Sequence, residues 1–256
     1  MPAAVLARDQ AEVEETGLRL VSLLGEAGRS RTWLARGPSG EVRVARRLPE
    51  RPVHLQGVGV SELIRLVSLR EPSLLTPTQV LAAGSTWVVR RFSSGTPLRR
   101  LLTVAGLSSP QVVAIAHDVG AALAALHSAG LAHGAVHPGN VIIGIDGRAR
   151  LCDAGILPPA DLASASRRDL DDLRSLVREA MARRPRGQRP RDFDGQAQLD
   201  AALRRLVDAL QPLEMTAATL VADLDRAAGE PGPSARRGLS ALVARVDRRA
   251  AGVDGI

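Results

Sequence analysis

The 256-residue chain contains no lysine and no tyrosine. All 34 of its basic side chains are arginine, so chemistry that requires a lysine amine is excluded. With a single cysteine, Cys152, an intrachain disulfide is impossible, and a reducing, cytoplasmic setting is expected. No run approaches the ~20 apolar residues of a membrane-spanning helix, so no transmembrane segment is expected. Met1 to Glu15 lacks an apolar core behind basic residues, so no signal peptide is expected either. Aromatic residues make up only 2%. None falls within the arginine clusters at Arg183 to Arg191 and Arg236 to Arg249. Without a base-stacking platform, the net charge of +7 argues for a solvated arginine-rich surface over nucleic-acid binding.

What is present is ordinary for a globular protein. Hydrophobic residues make up 45% and charged residues 24%, enough to exclude wholesale disorder. Residues 1–17 read as a polar, loose lead-in. Short apolar runs then predict strands near Leu18–Leu24, Arg31–Arg36 and Glu41–Arg47, the last two joined by the turn Gly37-Pro38-Ser39-Gly40. A helix is predicted near Ser61–Leu69, then strands near Gln79–Ala83 and Thr86–Phe92. From Ser93 onward the pattern is helical. Ser109 suits a cap and Pro110 a first turn of a helix running to Ser128. Two strands, Val141–Ile145 and Arg148–Cys152, flank the turn dipeptide Asp146-Gly147. Further helices are predicted near Asp169–Ala182, Asp200–Leu210 and Ala217–Ala228. Glu230 to Ser234 reads as a linker, and Gly238–Arg249 as a basic amphipathic helix.

A strand-rich lobe, a hinge and a helical lobe with one central hairpin resemble the eukaryotic-type Ser/Thr protein kinases found in bacteria. The stretch Leu126–Ile156, LHSAGLAHGAVHPGNVIIGIDGRARLCDAGI, carries the resemblance. The family shows H-R-D-x-x-x-x-N, then a hairpin, then D-F-G. Here His133-Gly134-Ala135 stands at H-R-D, Asn140 at the asparagine and Asp153-Ala154-Gly155 at D-F-G. Leu24–Trp33 resembles the glycine-rich phosphate loop, with Gly25 at the first glycine, Ala27 and Ser30 at the other two, and Gly28 between. Val44-Ala45-Arg46-Arg47 resembles V-A-I-K with Arg47 at the lysine, and Glu62 stands at its helical glutamate partner. The implied fold is α+β and two-lobed. Its small antiparallel β lobe with one helix spans 18–92. The larger, mainly α lobe spans 93–229 and has a short activation segment. A linker and basic tail fill 230–256.

The departures bear on function. The family's aspartate accepts the substrate proton, and Ala135 cannot. Losing a positioned base costs about 10²–10⁴ in rate. His137 stands at the loop lysine, and a guanidinium at Arg47 is no simple substitute for an ammonium. Ala154 stands where the family packs a phenylalanine, and no A-P-E follows. Asn140 and Asp153, the metal-ligand positions, are intact and suit magnesium with phosphates. Equally, Asn140 could bond its own loop and Asp153 cap a turn. His133 and His137 are four apart, but the family uses its own histidine for packing.

The resemblance therefore implies a pseudokinase with lost or very weak phosphoryl transfer. It would act as a regulatory or scaffolding module for a protein partner, with ATP and magnesium as its conceivable ligands. Its nucleotide-facing residues would come from Gly25, Ala27, Gly28, Ala45, Arg47, Glu62, His137, Asn140 and Asp153. The alternatives are a weakly active kinase and a small-molecule phosphotransferase, since HGAVHPGN also resembles the H-G-D-x-H-P-x-N loop of that class. A third is an arginine-rich interaction module without nucleotide. The basic tail is expected to bind a partner, lie on a membrane surface or stay disordered.

Overall fold

The computed structural model describes residues 3–27, 30–48, 65–154, 161–183, 200–201, 203–204, 215–229 and 231–250. In chain order these form helix α1 (Ala3–Val13), strands β1 (Arg19–Ala27), β2 (Ser30–Arg36), β3 (Val42–Arg47), β4 (Leu74–Leu75), β5 (Pro77–Ala83), β6 (Ser85–Arg91) and β7 (Gly95–Pro97). Helices α2 (Leu98–Val104) and α3 (Ser109–Ser128) follow, then β8 (Val141–Gly144) and β9 (Ala149–Cys152). Helices α4 (Leu162–Ala182), α5 (Ala217–Ala228) and α6 (Pro233–Ala250) complete the order. Contacts divide the chain into two units, 1–68 with 75–93 and 69–74 with 94–256.

The first unit is an antiparallel sheet in the order β1-β2-β3-β6-β5. Directly paired residues share a face, and neighbours along a strand point to opposite faces. Trp33 pairs with Ala45 and Ala45 with Val89, while Arg47 pairs with both Arg31 and Trp87. All of these side chains therefore lie on one face. Helix α1 covers that face. Its Val5, Leu6 and Val13 pack with Leu20, Trp33, Ala35, Ala45, Trp87 and Val89. Gly17, at φ +76°, closes the turn between helix and sheet by donating to the Glu14 carbonyl.

The expected loose lead-in is therefore corrected: it is a helix built into the core. The reason is visible in its spacing. Val5, Leu6, Asp9, Glu12 and Val13 form one helical stripe, but two of its members are acids, which disguise it as polar. Asp9 is fully buried and accepts from Arg31 Nε and Nη2, both at 2.7 Å, and from Trp33 Nε1 at 3.0 Å. Glu12 accepts from Arg47 Nε at 3.0 Å and Nη2 at 2.9 Å, and from Trp87 Nε1 at 3.0 Å. Buried acids persist when paired and hydrogen-bonded. Burial pushes Glu12 up, but the bonds from Arg47, Trp87 and Ser85 outweigh it and leave its pKa lowered.

The second unit surrounds α3. Ser108, not Ser109, precedes the first turn, and its amide donates to Gln111 Oε1 at 2.8 Å. By length and composition α3 could cross a membrane, yet two thirds of it is buried inside this fold. A sheet in the order β4-β9-β8-β7 runs beside it. Helix α4 begins seven residues earlier than Asp169, because the Asp161 carboxylate caps the Ala163 amide. Strand β7 and helix α2 were not foreseen; Leu98, Leu101 and Leu102 drive that helix inward. Of the helix expected at Ser61–Leu69, residues 65–68 are helical, and the rest lies outside the described residues. The same holds for Asp200–Leu210, of which 200–201 and 203–204 are helical.

The tail also requires a correction. Helix α6 starts at Pro233, inside the expected linker, and buries Ala235, Leu239, Val243 and Val246 against its own chain. Over its described residues the tail is therefore a docked helix and not a disordered end. Arg236 donates from Nη1 and Nη2 to the buried Asp118 of α3 at 2.7 and 2.9 Å.

One turn of chemistry beside that pair depends on pH. His117 Nε2 lies 3.1 Å from Asp225 Oδ1 on α5, and its Nδ1 3.7 Å from Asp118. The nearby Asp118 carboxylate, with Asp225, raises its pKa above the ordinary value, against burial and the charge of Arg236. A raised folded pKa stabilises fully below the unfolded value and is lost as pH rises through the folded one. The melting-temperature gap between wild type and His117→Gln should therefore be wider at pH 5.5 than at pH 8.5. An equal gap at both would show that His117 carries no folding-linked proton.

Candidate functional site

The loop between α3 and β8 holds the kinase-like motif, and its shape follows from a few polar anchors. His133 is fully buried. Its Nδ1 accepts from the Ala135 amide at 3.2 Å, so Nε2 carries the proton and donates to the Cys152 carbonyl at 2.9 Å. Burial lowers its pKa, and the neutral ring suits both bonds. With both nitrogens engaged, His133 is a packing residue. Among the described residues no group of three or more His, Cys, Asp or Glu could hold a metal ion.

The loop is suspended from α4 by Asp169, which in the sequence reads only as a helix start. Asp169 is fully buried and accepts from the His133 and Gly134 amides, both at 2.7 Å, and from His127 Nε2 at 3.0 Å. Burial alone would raise its pKa, but these donors outweigh it and the pKa is lowered. One signal could have found it. Asp169 interrupts the buried stripe Ala165, Leu173, Leu176 and Ala180 at helical spacing. A carboxylate on such a stripe needs donors from elsewhere in the fold. Asp172, one turn on, meets the Val136 amide; burial raises its pKa.

Asn140 ties the loop to the hairpin. Its Nδ2 donates to the Ala135 carbonyl at 2.9 Å, and its own carbonyl accepts from the Cys152 amide at 2.8 Å. Asp153, next after Cys152, is the one non-glycine residue with positive φ (63°) among the described residues. An aspartate held in the left-handed region is strained backbone of the kind found at functional sites. Oδ1 of Asn140 and the Asp153 carboxylate are oxygen donors of the type that magnesium takes. Ala135, whose carbonyl Asn140 holds, has a methyl side chain and offers no oxygen of its own.

His137 lies at the far end of the loop. Its Nδ1 accepts from the Gly139 amide at 3.0 Å, and Nη2 of Arg99 on α2 lies 3.4 Å away. A Cβ on Gly139 would come within 2.9 Å of both His137 Cε1 and Arg99 Nη2, so a larger residue there would have to displace the His137 ring and the Arg99 guanidinium. The Arg99 amide donates to the Pro138 carbonyl at 2.9 Å. Nothing in the sequence around Arg99 points to the loop.

The structure thus brings together Ala135, His137, Asn140 and Asp153 in the second unit. The remaining expected residues are in the first unit or beyond description. Gly25 sits in β1 opposite Thr32, and Ala27 ends that strand. Ala45 is buried under α1. Arg47 is 6% exposed and turned toward α1, where Glu12 holds it and Asp9 Oδ1 lies 3.7 Å away. Arg46 points to the opposite face of the sheet and is half-buried. Gly28 and Glu62 lie outside the described residues. Ala154 is buried.

No family model matches the chain. Among curated proteins it is 28% identical over 148 residues to the probable serine/threonine-protein kinase PkwA of Thermomonospora curvata, covering 56% of this chain and 20% of that protein. It is 31% identical over 129 residues to the serine/threonine-protein kinase PkaB of Streptomyces coelicolor, covering 49% and 31%. It is 39% identical over 74 residues to the serine/threonine-protein kinase PknE of Mycobacterium tuberculosis, covering 28% and 13%. The match spans less than a third of each relative's length. These partial likenesses support a kinase-like family. The mix of antiparallel sheets and helices is compatible with a kinase-like fold.

Proposed function

We propose that the chain is a two-lobed pseudokinase, a kinase-like module that regulates or scaffolds a protein partner and has lost efficient phosphoryl transfer. The observation that carries this reading is Ala135. It lies in a loop whose other anchors are intact, at the place where the resemblance puts the proton acceptor. Asn140 and Asp153 remain as oxygen ligands, and we assign them to a magnesium ion held with the phosphates of ATP. That ion would neutralise phosphate charge; the chain's own part is to orient it. Of the two adjacent arginines, Arg47 is held by the carboxylates of α1. We therefore place Arg46, on the opposite face, toward any anion bound by the sheet.

The test is a thermal-shift titration with ATP, with and without magnesium. A ligand stabilises by RT ln(1 + [L]/Kd), about 2.7 kcal/mol at one hundred times Kd. The expected result is a magnesium-dependent rise that Asp153→Ala abolishes. Wild type should show no transfer above background, and Ala135→Asp should gain it by about 10²-fold or more if the rest of the site is competent. A wild-type protein that transfers phosphate at ordinary kinase rates would overturn the reading.

A further inference from the structure

The tail helix and the candidate site meet through the β8–β9 hairpin. Asp118 of α3 accepts from the Ala149 amide, the first residue of β9, at 2.9 Å, and the same carboxylate is clamped by Arg236 of α6. The hairpin turn rests directly on α6: a Cβ on Gly147 would run into the carbonyl group of Arg236. Ser240 donates to the Ile145 carbonyl at 2.6 Å, just before that turn. On the other side of the hairpin, Thr96 of β7 donates to Asp247 of α6 at 3.2 Å. Helix α6 therefore touches the turn, β9 through Asp118, and the strand β7 that pairs with β8. At its open end the same hairpin leaves Asn140 and enters Asp153.

We propose that α6 is a lever on this hairpin and that Arg236, acting through Asp118, is a positioning residue for Asn140 and Asp153. What those two residues do rests on the reading above; the coupling does not. The physical basis is that β8 and β9 are four residues each. A ladder that short has little rigidity of its own, so its position is set by what grips its turn and its flanks. The carboxylate of Asp118 is a shared acceptor. If Arg236 leaves, the buried Asp118 charge keeps only the Ala149 amide and the more distant His117, and the carboxylate is drawn toward water, loosening its bond to Ala149. Any partner that draws α6 away would thereby act on the site, which makes the tail a route of regulation.

The experiment is amide-resolved hydrogen exchange by NMR on the full chain, comparing wild type, Arg236→Gln and Arg236→Lys. In Arg236→Gln, exchange at Ala149, Leu151 and Cys152 should accelerate at least tenfold, with the amides of α4 and of β2 and β3 unchanged. Arg236→Lys keeps the charge but one bond fewer, and should fall between. Ser240→Ala, a milder change at the same junction, should accelerate Gly147 and Arg148 alone. Uniform acceleration across the chain would reduce Arg236 to a general stabiliser and overturn the proposal, as would an unchanged hairpin. The magnesium–ATP thermal shift is measured on the same samples. A shift lost in Arg236→Gln supports positioning. No shift in wild type with a loosened hairpin would sink the nucleotide reading and leave the lever standing. A shift retained in Arg236→Gln would overturn positioning.

Discussion

Replacing Asp9 by alanine is expected to cost the first unit about 3–5 kcal/mol, the range for removing one member of a buried ion pair. The substitution removes a fully buried carboxylate and orphans two donors, the Arg31 guanidinium and the Trp33 indole N–H. The neighbouring Arg47 also loses a carboxylate that lies 3.7 Å from its Nε. For a unit of this size about 1 kcal/mol shifts the midpoint by roughly 4–8 °C, so a fall beyond about 12 °C should follow. The readout is local. The chain's two tryptophans, Trp33 and Trp87, both lie in this unit and both donate to α1 carboxylates. Their fluorescence therefore follows it without interference from the other unit. Glu12→Gln should cost less, since Glu12 is partly exposed and the amide keeps its shape. An unchanged fluorescence midpoint in Asp9→Ala would show that α1 is not held to the sheet by this acid.

The second large effect is expected at Asp169. Asp169→Asn should destabilise the second unit by about 1–3 kcal/mol, and Asp169→Ala, which leaves both the His133 and the Gly134 amides unmet, by about 2–6 kcal/mol. Both ranges count about 1–3 kcal/mol for each buried donor left unmet. The asparagine is only a partial rescue, because both carboxylate oxygens face N–H groups and an amide NH₂ would meet one set of them donor to donor. Chemical denaturation followed by far-ultraviolet circular dichroism measures it, and a fully stable Asp169→Asn would refute the anchor. The pH dependence follows from the lowered pKa. A depressed carboxylate stabilises above its unfolded value, 3.8 here, and loses that contribution as pH falls through the folded value. The gap between wild type and Asp169→Asn should thus be full at pH 6 and narrow below pH 4.

Local signals were enough for much of this molecule. Helix α5 runs over Ala217–Ala228 as its periodicity indicated, and α3 ends at Ser128 as expected. The strands around Gly37–Gly40 and Asp146-Gly147 formed where apolar runs met turn residues. The loop motif was legible because its residues are neighbours in sequence and its spacing encodes its shape.

What remained hidden depends on partners far along the chain. Asp9 and Glu12 look like surface acids until Arg31, Trp33, Arg47 and Trp87 fold over them. Asp169 looks like a solvated charge until the His133 and Gly134 amides reach it. Arg236 looks like one member of a basic tail until Asp118 receives it. Arg46 and Arg47 are equivalent in composition, and which of them faces α1 is set by strand register, where a shift of one residue reverses the faces. The sequence by itself determined the elements and the loop, because propensity, turn chemistry and motif spacing act over a few residues. Only the tertiary structure decided where each charge is spent, because a buried charge is stable only where its partner arrives.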